Sequence, residues 1–500
     1  MRRDMPARYN AQSGIALLVF VIVLAFAAIA YMISSVSVEQ LLYEQTLATQ
    51  TSLARAKQAL LDFAVTYEDR YPGEYGFLPC PDHLPGGFVE GGSDGNCGDT
   101  NENILGLFPW ATLETGILKS GTGQCLWYAV SGEYTKSPAT TMLNEDTNGA
   151  MRLHHYHSDG VTRSIKQGAL AEDRIVAIIF DPAGVLPGQN RNFDSTSLCG
   201  RDYVPAAYLE GDGTINNSML SGASLAIDDF IVRGADTDEW ATPFNDQVVT
   251  ITRSELWDAV VSRGDFTGNT DSTIRRLTEA LALCIAEYGN NSGNRKLPRP
   301  AAVDFSGADY RTDANYDDTD AVSYLGRYPH TVDASDDALG ANAPNDAVPV
   351  IFDKGYCDSL AVTEGPAINL NTGAAPATES YLTWKNWKDH FFYAVSAYYA
   401  PASTADDGVP SCDGTNCIVV EGTEYAAVVL YSGSRTDAQV RNEPIAGDTD
   451  TKNTLANYLE VNNPIGNGTG DYTPAANDPD SKDIAYCVTD TDPLTVVSCP

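Results

Sequence analysis

The hydrophobic pattern is most pronounced near the N-terminus of the chain. Residues 15–38 contain no charged side chain, and a helix of that length, at about 1.5 Å per residue, can cross a hydrocarbon layer of ~30 Å. Apolar residues such as Leu53, Ala56 and Leu60 then recur at helical spacing, without a Gly or Pro before Tyr71. The pattern therefore predicts one long N-terminal helix with a transmembrane half followed by an amphipathic half.

The remaining sequence is internally duplicated. Five matches between the first and second halves occur in the same order. "ARAKQALLDFAVTY" followed by "FLPCPD" recurs as "RRLTEALALCIAEY" followed by "KLPRPA", "CLWYAVSGEYTKSP" as "HFFYAVSAYYAPAS", "VAIIFDPAGVLPGQNRN" as "AAVVLYSGSRTDAQVRN", "AAYLE" as "ANYLE", and "FNDQVVTI" as "ANDPDSKDIAYCV". Each copy begins with a helical pattern, and short stretches rich in β-branched and aromatic residues follow between Gly/Asp/Asn-rich loops.

This organisation predicts an α+β fold with two tandem heads. Each head is a helix packed on a small, mostly antiparallel sheet with long disulfide-bearing loops. The predicted boundaries are 39–263 for the first head and 274–500 for the second, with a linker near 262–273. Within each copy we expect an arginine, Arg191 or Arg441, to pair with the glutamate of the "YLE" segment, Glu210 or Glu460, and to fix a long loop.

Composition narrows the classes of partner. A formal net charge of −36 and a pI near 4.3 disfavour nucleic acid, because its phosphate backbone would be repelled by such a surface. The chain has 500 residues and is 43% hydrophobic, which is sufficient for more than one core.

The ten cysteines are scattered through polar loops, as is typical of disulfides in an oxidising compartment and not of a thiolate metal site. We predict a bridge between Cys412 and Cys417 in "CDGTNC". Further local candidates are Cys80 with Cys97 and Cys487 with Cys499. The sequence does not determine how the remaining cysteines are paired.

The N-terminal segment carries a family resemblance. A short basic leader, residues 1–14, ends in Gly14, an apolar helix begins at Ile15, and an amphipathic continuation enters a globular head. Together these features resemble a type IV prepilin or pseudopilin. The resemblance implies cleavage by a prepilin peptidase between Gly14 and Ile15, with a mature N-terminus that is commonly methylated.

The leader charges add an expected location. Arg2, Arg3 and Arg8 outnumber Asp4, so the positive-inside rule keeps the N-terminus cytoplasmic. We therefore expect a single-pass protein of the bacterial inner membrane with a periplasmic C-terminus, which later joins a periplasmic filament or a cell-surface pilus tip. A plain single-pass anchor without filament assembly is the simpler alternative.

The first residues after the predicted cut depart from the family pattern. Pilins usually have Phe first and Glu fifth, whereas this chain has Ile15 and Val19. In this respect it is similar to the large minor pseudopilin that caps type II secretion pseudopili. The resemblance implies that Val19 favours the filament tip, because the family's fifth-position glutamate pairs with the N-terminal amine of the adjoining subunit. The implied partners are other pilins or pseudopilins, bound through the N-terminal helix, together with prepilin peptidase and the inner membrane.

Candidate metal ligands occur in two segments. His155 and His157 in "LHHYHSD" would share one face of a strand. Asp313, Asn315 and Asp317 in "DANYDDTD" offer the hard oxygens that calcium prefers, although the EF-hand pattern is incomplete. Calcium is therefore the candidate cofactor.

No catalytic signature stands out in the sequence. GxSxG, HExxH and Walker A motifs are absent, which makes a membrane-anchored hydrolase the least favoured class. We expect a non-enzymatic minor pilin or pseudopilin that primes or caps a type IV pilus or type II secretion filament. The alternative is a surface adhesin or binding module on the same stem.

Overall fold

The computed structural model describes most of the chain. The described residues are 13–35, 38–83, 89–93, 101–136, 142–157, 162–192, 194–200, 202–233, 244–292, 294–305, 309–318, 323–332, 350–401, 410–414, 416–436, 438–443, 448–459, 470–472 and 483–500. The helices among them are α1 (Ser13–Ser35), α2 (Val38–Val65), α3 (Arg253–Val261), α4 (Thr273–Asn290) and α5 (Glu379–Trp387).

The strands of the first half are β1 (Ile104–Leu107), β2 (Trp127–Val130), β3 (Met151–Tyr156), β4 (Arg163–Gln167), β5 (Ile175–Asp181), β6 (Asp228–Arg233) and β7 (Gln247–Thr252). Those of the second half are β8 (Leu325–Arg327), β9 (Phe391–Val395), β10 (Ile418–Val420), β11 (Thr423–Tyr431), β12 (Gly470–Tyr472), β13 (Ile484–Thr489) and β14 (Val496–Ser498). The protein is thus α+β, with two sheets.

The prediction of one long N-terminal helix is wrong. The structure describes two separate helices, α1 ending at Ser35 and α2 beginning at Val38. Apolar spacing indicates helix in both segments but does not determine whether they are continuous. The part of α1 whose side chains are described, residues 17–31, is about 22 Å long at 1.5 Å per residue.

No helix in the described ranges combines the length and the apolar character needed to cross a membrane. The predicted span at 15–38 and the predicted single-pass location in the inner membrane are therefore wrong.

The first sheet is built around β5, whose seven residues are all buried. β1, β2, β5 and β7 are neighbours in that order, each antiparallel to the next. β3 also adjoins β5 in antiparallel orientation, pairs in parallel with β6, and carries β4 as an antiparallel neighbour.

The second sheet repeats this arrangement. β8, β9, β11 and β13 are neighbours in that order and are again antiparallel. β10 adjoins β11 in antiparallel orientation and pairs in parallel with β12, as β3 does with β6. β14 extends the second sheet beside β13.

Individual hydrogen bonds are repeated as well. The Leu78 amide donates to the Tyr134 carbonyl at 2.7 Å, and the Leu297 amide donates to the Tyr399 carbonyl at 2.8 Å. These residues occupy equivalent positions of the "FLPCPD"/"KLPRPA" and "CLWYAV"/"HFFYAV" segments. The duplication seen in the sequence is therefore also a duplication of topology and of local contacts.

One large hydrophobic cluster runs through both halves, and smaller clusters lie within each half. α2 packs on β5 and β7, and α4 packs on β11 and β13. Leu60 of α2 and Leu281 of α4 belong to the same buried cluster as Ile179 of the first sheet and Val429 of the second. Because burial of each such side chain contributes about 1.5–3 kcal/mol, neither half can be separated from the other without exposing core.

The prediction of disulfides is confirmed. Bridges join Cys125 to Cys199, Cys284 to Cys357, Cys412 to Cys417 and Cys487 to Cys499. Cys80 is also disulfide-bonded, while its predicted partner Cys97 lies outside the described residues.

We expect the long-range bridge to matter more for stability than the local one. Cys284 and Cys357 are 73 residues apart, whereas Cys412 and Cys417 are 5 apart, and a bridge that closes a longer loop removes more entropy from the unfolded chain. Replacing both cysteines by alanine should lower the free energy of unfolding by about 4 kcal/mol for the first pair and about 2 kcal/mol for the second. Urea unfolding of the unreduced protein measures both losses. A larger loss for the short loop would contradict this ranking.

Candidate functional site

The described side chains of α1 form an apolar surface that the rest of the chain leaves exposed. Phe20 is 62% exposed and Leu24 is 53% exposed, and apolar residues occur on every side of the helix. Exposed apolar area of this extent marks an interaction surface. We name this the α1 surface, and its large members are Leu17, Leu18, Val19, Phe20, Val21, Ile22, Val23, Leu24, Phe26 and Ile29.

The residues of the predicted processing site lie at the start of the same helix. Gly14 and Ile15 fall within α1, and their side chains are not among those described. Val19, the predicted tip determinant, belongs to the α1 surface.

A second unusual feature is a buried charged cluster between the two halves. Residues 144–146 of the first half insert among residues of the second half. Asn144 donates to the Asp389 carboxylate at 2.8 Å and to the Asn386 carbonyl at 2.8 Å. We name the charged group around this contact the interface cluster, and its members are Glu145, Asp146, Asp389, His390, Arg441 and Lys452, all of them buried.

Opposite charges in the interface cluster are paired both across the two halves and within the second half. Arg441 Nη1 lies 2.8 Å from Glu145 Oε1, and Lys452 Nζ lies 2.6 Å from Asp389 Oδ2 and 3.8 Å from Asp146 Oδ2. The Tyr458 hydroxyl donates to Asp146 at 2.9 Å. Because each carboxylate has a basic neighbour, the buried charges are compensated.

The pKa values of these groups reflect the pairing. Burial raises the pKa of Asp146, but His390 and Lys452 outweigh it and hold that pKa well below its usual range. Burial lowers the pKa of His390, but Asp146 and Asp389 outweigh it and raise the pKa to about 10. The potential at the His390 ring therefore strongly favours a positive charge.

The ring of His390 has a defined orientation. Nδ1 donates to Asp389 Oδ1 at 2.9 Å. Nε2 lies 3.4 Å from Asp146 Oδ2 and 3.5 Å from Glu145 Oε1, without the alignment of a hydrogen bond. Glu145, Asp146 and His390 can bring one ligand atom each within 4.8 Å of one another, so these residues could hold a metal ion.

A cavity adjoins the interface cluster. Its volume is about 680 Å³, and it is lined by Glu145, Glu172 and Ser254 of the first half and by Arg435 of the second. Solvent or a small solute in this cavity would therefore contact Glu145 directly.

The duplicated arginines have different roles from those predicted. Arg191 donates to the carbonyls of Pro182 and Ala183 and lies over the Tyr208 ring at 4.8 Å, while Glu210 accepts from Gln189. The loop is thus fixed through backbone carbonyls and an aromatic ring, in place of the predicted arginine–glutamate pair.

Arg441 repeats this arrangement and adds one contact. It donates to the carbonyls of Ser432 and Gly433 and lies over the Tyr458 ring at 4.7 Å. Its carboxylate partner is Glu145 of the other half, whereas the predicted partner Glu460 lies outside the described residues. The pairing across halves was missed because sequence similarity relates positions within the repeat, not contacts between its copies.

The predicted histidine ligands are adjacent in space. The rings of His155 and His157 stack with centroids 4.8 Å apart and planes 13° apart, as expected for alternate residues of a strand. His157 Nε2 lies 2.9 Å from the Ser164 hydroxyl. Among the described residues, this pair is not part of a group of three clustered ligands, and metal binding there stays a prediction.

The predicted calcium ligands already have protein partners. Asp313 forms an ion pair with Lys388, whose side chain is buried, and the Asn315 amide donates to the Asp309 carbonyl at 2.7 Å. Asp317 follows in the same loop. Calcium binding at these residues stays a prediction, and the Asp313 carboxylate would have to exchange a lysine for the ion.

The duplicated arginines allow a matched test of the interface cluster. Arg441→Met leaves Glu145 buried without its partner, so the free energy of unfolding should fall by about 3–5 kcal/mol. Arg191→Met removes carbonyl hydrogen bonds from a half-buried residue, and a loss of about 1–2 kcal/mol is expected. Urea unfolding measures both variants. Equal losses would show that the Arg441–Glu145 pair adds nothing to the shared loop contacts.

Acid should destabilise the fold through His330. Burial lowers the pKa of this residue to about 4, although Asp313 and Asp353 raise it and Lys388 lowers it further. The unfolded chain, with a histidine pKa of about 6.5, binds the proton more tightly than the folded protein. Stability should therefore be lost as pH falls from about 6.5 through about 4, by up to about 3 kcal/mol. His330→Gln removes this titration, so the stability difference between wild type and variant should depend on pH in this range. A constant difference would contradict the assignment.

Comparisons of the chain with protein-family models, curated proteins and solved structures find no match. The two halves can nevertheless be compared with each other. They share strand order, loop-fixing arginines and helix position. They differ at the interface cluster, where the first half contributes Glu145 and Asp146 and the second contributes Asp389 and the bases.

Proposed function

We propose that the protein is a non-enzymatic minor pilin or pseudopilin that primes or caps a type IV pilus or type II secretion filament. The observation that carries this proposal is the α1 surface. A helix that is apolar on all sides can bury that area only against other apolar groups, and a bundle of similar helices from partner subunits supplies them.

The α1 surface supplies a large driving force for assembly. Its ten large apolar side chains are 45–68% exposed, so burial of the exposed part of each contributes about 1 kcal/mol. The sum of about 10 kcal/mol is comparable to the ~4–15 kcal/mol lost as translational and rotational freedom when two molecules associate. Complete burial against partner helices would therefore offset much of the cost of association.

The head supports a terminal position in such a filament. Its two halves share one core and a buried charged cluster, so they move together as one large body. Closely packed helices leave lateral room for a small head on each subunit. A head of double size fits where nothing is stacked above it, which is the filament tip.

The residues at the start of α1 agree with that position. We propose that prepilin peptidase cuts between Gly14 and Ile15 and exposes a new amine. Val19 offers no carboxylate to an amine of another subunit, but the amine at Ile15 can still pair with a glutamate of the next subunit. The protein can therefore be the first subunit of a filament. If it were added to an existing filament, it would form no ion pair with the amine of the subunit above it.

Charged substitutions on α1 should abolish assembly. Phe20→Glu with Leu24→Glu places two carboxylates on one face of the helix. Burying them unpaired costs several kcal/mol, so we expect the number of filaments in a complemented deletion strain to fall at least about 100-fold. Electron microscopy of surface or periplasmic filaments measures this number.

The matched control is Val185→Glu, which changes a residue of the head that is 59% exposed and should leave filament number unchanged. An epitope in the second half should label one filament end. Normal filament assembly by the α1 variant, or labels along the whole shaft, would contradict the proposal.

A further inference from the structure

We propose that Glu145, Asp146 and His390 form a binding site for a divalent transition-metal ion of the Zn²⁺ type at the contact between the two halves. This site is distinct from the α1 surface and from the ligands expected from the sequence. It combines residues about 245 positions apart that fold together only in the complete head.

The first supporting observation is the orientation of the imidazole. Nδ1 of His390 donates to the Asp389 carboxylate at 2.9 Å, which leaves Nε2 directed toward Glu145 and Asp146. Metal-binding histidines commonly donate their second ring nitrogen to a carboxylate, because that contact fixes the ring and makes the coordinating nitrogen more basic. Asp389 is placed to do this for His390.

The second observation is the spacing around Nε2. Asp146 Oδ2 and Glu145 Oε1 are 3.4 Å and 3.5 Å away. Tetrahedral zinc with bonds of about 2.0–2.2 Å holds neighbouring ligand atoms roughly 3.4 Å apart. A charged imidazolium N–H, in contrast, would be expected to approach one carboxylate to about 2.7–2.9 Å. The observed distances fit ligands around a common ion better than a hydrogen bond.

The third observation is an unpartnered nitrogen. Nε2 of the fully buried His390 has no hydrogen-bond partner among the described residues and is directed toward Glu145 and Asp146. Buried polar atoms of this kind are rare in folded proteins and call for an explanation such as an ion or water.

A bound ion would take the place of the His390 proton in the charge balance of the cluster. Arg441 is paired with Glu145, and Lys452 is paired with Asp389 and Glu443 and lies close to Asp146. The ring of His390 supplies the further positive charge beside Asp146, so an ion bound at Nε2 would replace the charge of the imidazolium as the proton is released.

The ligand types and the cavity define the ion. One imidazole nitrogen with carboxylate oxygens suits zinc and similar transition metals, whereas calcium and magnesium prefer oxygen alone. The cavity of about 680 Å³ is lined by Glu145 and reaches the proposed site at that ligand alone.

The internal duplication shows that the histidine ligand occurs in the second copy and not at the equivalent position of the first. The residue of the first half equivalent to His390 is Cys125, which is bonded to Cys199. The first half thus has a disulfide at this position. The second half has a potential metal ligand there, and that ligand contacts the first half.

Metal binding to the purified full-length protein tests the inference. After dialysis against Zn²⁺ and removal of excess ion, elemental analysis should find one zinc per chain in the wild type. Calorimetric titration with Zn²⁺ alone should show that His390→Gln weakens binding at least about tenfold. The matched control is His154→Gln, which removes a histidine that pairs with Asp229 on the first sheet and should retain wild-type affinity.

A measurement on the unmodified protein covers the case in which the His390 variant fails to fold. Substitution with Co²⁺ should give the visible absorption of a tetrahedral ion, and histidine ¹⁵N NMR should show the His390 ring changing on addition of Zn²⁺. Absence of bound zinc in the wild type, unchanged affinity of a folded His390→Gln variant, or a His390 ring that stays an imidazolium with Zn²⁺ present would overturn the site. None of these readouts depends on filament assembly, so failure of the metal site leaves the proposed function standing.

Discussion

The head depends on the compensation of charge at the contact between its halves. Residues 144–146 bring two carboxylates into the second half, where Arg441 and Lys452 are already buried. Transferring a charged side chain from water into the protein interior is costly, and a close partner of opposite sign offsets that cost. Because Glu145 and Asp146 pair with bases of the second half, the first half alone does not compensate them.

The shared core has the same consequence. α2 and α4 cover their respective sheets, yet both belong to one cluster that includes strands of the two halves. Two pilin-like units connected by a linker would each have their own core and could move independently. In this protein burial and ion pairing act together, so the duplicated chain forms one body.

Duplication also explains how the interface could arise. Arg191 and Arg441 make corresponding contacts to backbone carbonyls and to a tyrosine ring. The second arginine has a carboxylate partner from the first half in addition to these contacts. A residue that fixes a loop thereby also joins the two copies.

The sequence by itself determined the α+β class, the order of the repeated segments and the short-range Cys412–Cys417 bridge, since these depend on local periodicity and on residues close in the chain. The N-terminal helix was only partly predictable: apolar spacing indicated helix, but not that α1 and α2 are separate helices. Tertiary structure decided the rest. Glu145 and His390 are far apart in the sequence. Their contact depends on the favourable interaction of opposite charges in the protein interior, which a local sequence pattern does not predict.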